Sequence, residues 1–198
     1  MIFQMLEEEK EFTDEEKATI KRESEIRVPR IIECLKTHSF ASGLNEMLII
    51  TCKPFAKGQI EVIRATIATI WLSTLEWLFD YIKSLEPSSE ERNMRINQSV
   101  VICFRLLYLK GERVFKRAFK HYVAPFLVEP GISKAETIRR IRDKLCEVYC
   151  SAGTEDVVGY FHQLMYERIM SLDRQLKMMK ITPTPFSHFQ KRKKRRIS

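Results

Sequence analysis

Apolar side chains recur along this chain at intervals of three and four residues almost throughout, which is the period of an amphipathic helix and not of a strand. The segment Thr13-Asp14-Glu15-Glu16 reads as a capping box, with Thr at the N-cap and Glu three residues on. It opens a polar helix to about Glu25. Pro29 disfavours helical geometry at Val28, so a break is expected there, followed by a short helix with Ile31, Ile32 and Leu35 inward. Ser42 is placed to cap a further helix that ends before Pro54. From about Lys57 to Leu85 runs the longest apolar helix, with Ile60, Ile63, Ile67, Ile70, Trp71, Leu75, Leu78 and Ile82 in register. Its middle is apolar nearly all round, which places it at the centre of a bundle.

Ser88 or Ser89 caps the next helix, which carries Glu90 and Glu91 at its positive end and reaches Lys110. Gly111 marks an end or a kink. A helix from Glu112 to about Val123 follows, and then a loop holding Pro125, Pro130 and Gly131. Ser133 and Glu136 form a second capping box for a helix to Cys150. A last helix runs from Glu155 to Lys180, until Thr182-Pro183-Thr184-Pro185 stops it. Cys103–Leu107 is a short apolar run that periodicity alone does not separate from a buried strand. The expected fold is all-α: one bundle of about seven or eight helices over residues 1–181, around a central apolar helix. An acidic segment (1–25) leads it, and a disordered basic tail (182–198) ends it.

Composition agrees. The 198 residues include few Gly and Pro, which argues against a turn-rich β fold. The N-terminal apolar run is interrupted by Gln4 and stopped by Glu7, Glu8 and Glu9, so no secretory leader is expected. The best membrane candidate, Ala65–Leu75, is short and reads as a buried core helix. The five cysteines are odd in number and scattered, which is not a disulfide framework. Cys146, Cys150 and His162 offer three of four zinc ligands, with His121 a guess for the fourth. Buried thiols are the expected outcome, and no cofactor is expected.

Charge changes the picture. The net is +8, but residues 105–144 hold 11 bases against 4 acids, and residues 177–198 hold 8 bases and no acid. In the helix after Gly111, Val114, Ala118, Phe119 and Tyr122 form an apolar stripe. Arg113, Lys116, Arg117 and Lys120 form a basic one, with Lys110 upstream. The next helix adds Lys134, Arg139, Arg140, Arg142 and Lys144. Cations repeating once per helical turn suit a phosphate backbone. Packed as neighbours across the Pro125–Gly131 loop, the two helices would make one positive surface. The tail run Lys191, Arg192, Lys193, Lys194, Arg195 and Arg196 cannot pack in a core. It reads as a nuclear localisation signal or nucleic-acid patch.

Tyr108, Phe115, His121 and Tyr122 stand near the basic helix, but their spacing favours core packing over base stacking. No catalytic motif is present, so the expectation is a non-enzymatic nuclear protein with a cytoplasmic pool, neither secreted nor transmembrane. Its partners would be nucleic acid, RNA rather than DNA, and a nuclear import receptor. In style the combination is that of viral accessory or nucleoprotein-associated factors, without any shared motif. The first alternative is a helical adaptor for a protein partner, its tail used only for import. Self-association through the last helix (Leu164, Met165, Ile169, Leu172, Leu176, Met179) belongs with that option. The second alternative is a matrix-like protein on an anionic membrane surface.

Overall fold

A computed structural model describes residues 12–52, 59–151 and 159–190, and within them the chain is all-helical with no strand. We number the helices α1 (Asp14–Thr37), α2 (Phe40–Cys52), α3 (Ile60–Ser84), α4 (Glu90–Ala118), α5 (Lys134–Ser151) and α6 (Gly159–Met178). A π-helical turn, Phe119–Val123, and a 3-10 turn, Ala124–Phe126, follow α4. Residues 186–190 form one more short helix. The ambiguous Cys103–Leu107 run is helical.

The chain divides into two compact units, Met1–Tyr122 and Val123–Ser198. This differs from the single bundle expected from the sequence. The reason lies in the partners of α5, which covers its apolar side with α6.

In the first unit α1 packs along α3, and α3 also meets α2 and α4, so the apolar helix has neighbours on several sides. Ile70, Leu72, Leu75, Leu78 and Ile82 are fully buried on it. Its hydroxyl side chains are accommodated locally: Thr66, Thr69 and Thr74 donate to the carbonyls of Val62, Ala65 and Ile70 at 2.7, 2.9 and 2.8 Å. Each thus meets its hydrogen-bond need inside the helix it belongs to. Among the described residues α3 is the one helix long and apolar enough to cross a membrane, and most of its apolar window is buried.

The capping box at Thr13 is present, with Thr13 Oγ1 accepting from the Glu16 N–H and the Glu16 carboxylate accepting from the Thr13 N–H. The break expected at Pro29 is absent, since α1 is continuous through it. The missing N–H costs little here because Pro29 and Glu25, whose carbonyl it would have served, both face solvent. On the opposite side Ile20, Ser24, Arg27, Ile31 and Leu35 form a buried seam that runs past the proline. The cap expected at Ser42 also moves. α2 begins at Phe40, Ser39 precedes it, and the two serine hydroxyls lie 2.9 Å apart.

Three arginines tie helix ends together. Arg27 of α1 donates to the carbonyls of Ile50 and Thr51, the last turn of α2, at 2.8 and 3.2 Å, and pairs with Glu23 at 3.1 Å. Arg95 of α4, 2% exposed, donates to the Leu35 carbonyl in the last turn of α1. Its other nitrogen reaches Glu91 at 3.2 Å, and Glu91 also accepts from Tyr81 Oη at 2.8 Å. Gly111 adopts φ 79°, in the left-handed region that favours glycine, and kinks α4. Arg64 of α3 donates to the Leu109 carbonyl beside that kink at 2.7 Å. Carbonyls at helix ends lack intrahelical partners and sit at the negative pole of the helix, so a guanidinium suits them.

In the second unit α5 and α6 pair through Ile138, Leu145, Cys146 and Val148 on one side and Met165, Ile169, Leu172 and Leu176 on the other. Most of the heptad-like stripe of the last helix is therefore core, while Met179 is partly exposed. The chain does not leave the unit at Thr182, where the tail was expected to start. Phe189 is buried, and Phe186 packs edge-on against Tyr149 at 5.7 Å between ring centres. The basic run 191–196 lies outside the described residues, as do Glu7, Glu8, Glu9 and Glu11 of the acidic N-terminal segment and the expected start of the last helix at Glu155.

Arg95→Met should lower the unfolding free energy by about 2 kcal/mol, because it leaves the Leu35 carbonyl without its donor and takes from Glu91 one of its two donors. Urea titration followed by far-UV circular dichroism measures it, and an unchanged midpoint would contradict this role.

Candidate nucleic-acid interface

The kink at Gly111 re-aims the last turns of α4. Val114, Phe115, Ala118, Phe119 and Tyr122 point into the first unit and are buried. Phe104, Phe115 and Phe119 stack in sequence at 5.0 and 5.6 Å between ring centres. His121 and Tyr122 pack against Phe79 at 5.7 and 6.1 Å. The rings of Phe104, Phe115, Phe119 and Tyr122 serve the core, while His121 is exposed against the half-buried Phe79, and burial pushes the Tyr122 hydroxyl up to about 12. Tyr108 differs, being 64% exposed.

The basic stripe lies on the outer side of the same turns. Arg113, Lys116 and Lys120 are exposed, and Lys110 and Arg117 are half-buried. Lys116 makes an ion pair with Glu112 at 3.4 Å, both being well exposed. Glu112 is the only acid between Lys110 and Tyr122. Such an exposed pair is weak and opens readily to a competing phosphate.

The cations expected from α5 belong to the second unit and are placed differently. Lys134 is exposed. Arg139 chelates Glu136 at 2.6 and 2.8 Å and reaches Asp143 at 3.4 Å. Arg140 binds Glu136 at 2.8 Å and Glu129 at 3.1 Å. Lys144 pairs with Glu147 at 3.0 Å. Glu136, Asp143 and Glu147 stand three or four residues from the bases they pair with and form a neutralised ladder along the helix, and Glu129 reaches Arg140 from the segment before it. Hydrogen bonds from Arg139, then Arg140, hold the Glu136 carboxyl down at about 2.

Arg142, read as part of the basic surface, is 2% exposed and does not belong to it. Its guanidinium bonds Asp173 of α6 at 2.7 Å and Asp143 at 3.1 Å, with the rings of Phe186 and Phe189 5.6 and 5.7 Å away. A planar cation between aromatic faces and carboxylates is a structural clamp. The sequence signal for it was the pair Phe186 and Phe189, three apart in a segment otherwise taken for tail.

Among the described residues no three His, Cys, Asp or Glu side chains stand together in a way that holds a metal ion. Burial pushes the Cys146 thiol up to about 12. His162 packs edge-on against Tyr149 at 5.2 Å. No family model matches the chain, and no curated protein or solved structure matches it significantly.

The Glu136 carboxyl should titrate near about 2 against an ordinary 4.5, observable by carboxyl carbon NMR. Its folded value is depressed, so the stability it adds is fully present above the unfolded value and is lost as the pH falls from about 4.5 through about 2. Glu136→Gln should flatten the acid limb of the stability curve in that window. An ordinary titration midpoint would mean that the two arginines do not hold it.

Proposed function

We propose that this chain is a non-enzymatic, nuclear, polyanion-binding protein whose cargo is RNA in preference to DNA. The observation that carries the reading is the basic face of the turns beyond Gly111, where Arg113, Lys116 and Lys120 are exposed and Arg117 is half-buried, with Glu112 the single acid beside them. Lys110 and Lys134 add to the cationic surface of their respective units. Phosphate neutralisation with counterion release is the mechanism, so binding depends on salt and little on sequence. Arg139, Arg140 and Lys144 contribute less, because a bound phosphate must first displace a carboxylate from each. The run Lys191–Arg196 supplies the import signal and a second polyanion contact.

RNA is favoured by Tyr108, which is 64% exposed two residues before Lys110 and offers a ring on which an unpaired base can stack beside the basic face. That face suits flexible single strands that adjust to the cations. The second reading is a helical adaptor. It is favoured by the exposure of Ile60 and Tyr108 in the first unit, at 66% and 64%. An apolar partner would cover such side chains.

The charge reversal R113E/K116E/R117E/K120E should weaken binding to single-stranded RNA by at least about tenfold and lower the salt slope by about 2 to 3 units. R139E/R140E should leave it within about twofold, since those side chains are already paired. Gel shifts across a salt series measure both. Equal loss from the two variants, or none from either, would favour the adaptor.

Deleting residues 191–198 should abolish nuclear accumulation of a fluorescent fusion whichever cargo is carried. Retained accumulation would remove the import role.

A further inference from the structure

We propose that Thr182 is a phosphorylation site for a proline-directed protein kinase, with Thr184 a weaker second acceptor. The site stands independently of the polyanion reading. Its basis is the strap Thr182-Pro183-Thr184-Pro185, in which each threonine is followed by proline.

Proline at that place does two things. It removes the backbone N–H after the acceptor, and it forces the acceptor itself into extended geometry. A kinase cleft that selects proline after the hydroxyl residue reads both features. Residues 181–185 are already non-helical. The chain enters them from the end of α6, where Lys180 takes φ 59° and the Ile181 N–H bonds the Leu176 carbonyl at 2.9 Å. It leaves them at Pro185, whose carbonyl accepts from the His188 N–H at 3.0 Å. Beyond that, Phe186 and Phe189 are fixed by the Arg142 clamp. The strap is thus pinned at both ends and non-helical between them. Presenting it requires no helix to unfold, which reduces the ordering cost of capture.

Exposure ranks the two hydroxyl residues. Thr182 is exposed, while Thr184 is half-buried and closer to the docked phenylalanines. Lys177 and Lys180 are exposed just upstream, so an added phosphate gains cationic neighbours on the surface. In the reaction Thr182 Oγ1 attacks the γ-phosphorus of ATP. The bond from that phosphorus to the bridging oxygen breaks, ADP departs, and the hydroxyl proton passes to the kinase's carboxylate base.

The test uses the full chain, ATP and a purified proline-directed serine/threonine kinase, with sites read by tandem mass spectrometry. One phosphate on Thr182 is the expected result. Thr182→Ala should remove most of the incorporation. Pro183→Ala, which keeps the acceptor, should slow modification of Thr182 by about tenfold or more. Thr182 is exposed and Pro183 half-buried, and unchanged thermal melting of each variant confirms that the fold persists. Phosphate found only outside the strap, or incorporation at Thr182 that is indifferent to Pro183→Ala, overturns the proposal.

Discussion

Helices packed at short range bring their ends into contact with one another, and every such end exposes carbonyls that the helix itself cannot satisfy. In the first unit the answer is a guanidinium from a different helix. Arg27 serves the end of α2, Arg95 the end of α1, and Arg64 the carbonyl beside the kink in α4. Each bond fixes where one helix terminates relative to another, which apolar side chains alone fix poorly because they slide. A buried guanidinium is costly where its donors go unfilled, and the contacts of Arg95 fill both terminal nitrogens, so they also discriminate against alternative packings. The seam of α1 illustrates the coupling: Arg27 takes its place between Ser24 and Ile31 as one more inward position.

That use of arginine explains what the sequence did and did not disclose. Helical class, the Thr13 and Ser89 caps, the apolar α3 and the inward stripe of the last α4 turns follow from spacing and appear as expected. The continuity of α1 through Pro29 did not, because whether a proline breaks a helix depends on tertiary contacts on the far side of it. Nor did the partition of α5 from the first unit, since an apolar stripe announces that it will be covered and not by what. The docked Phe186 and Phe189 were hidden for a related reason. Two prolines legitimately ended the helix, and only the clamp around Arg142 brings the chain back.

The candidate interface was legible in part. A stretch of 11 bases against 4 acids gave the location. It could not say which bases were committed elsewhere, because a count treats every cation alike. The structure sorts them. Arg105 and Arg142 are buried, Arg139, Arg140 and Lys144 are held by neighbouring carboxylates, and the turns after Gly111 keep their cations outward. The sorting has a local cause. Acids three or four residues from a base neutralise it along one helix face, as Glu136 does twice, whereas the α4 turns contain only Glu112 for four bases.

The glycine at the kink links these observations. Before Gly111 the polar side chains of α4 include arginines turned inward to hold other helices. After it the backbone rotates, the aromatic stripe from Phe115 to Tyr122 takes over the packing, and the bases are left outside. With its φ of 79°, position 111 is one that only glycine fills without strain. On α4 and the turn after it, the inward Arg95 and Arg105 precede the kink and the outward Arg113, Lys116 and Lys120 follow it. The electrostatic character of the first unit follows from that one change of backbone direction more than from the net charge of the protein.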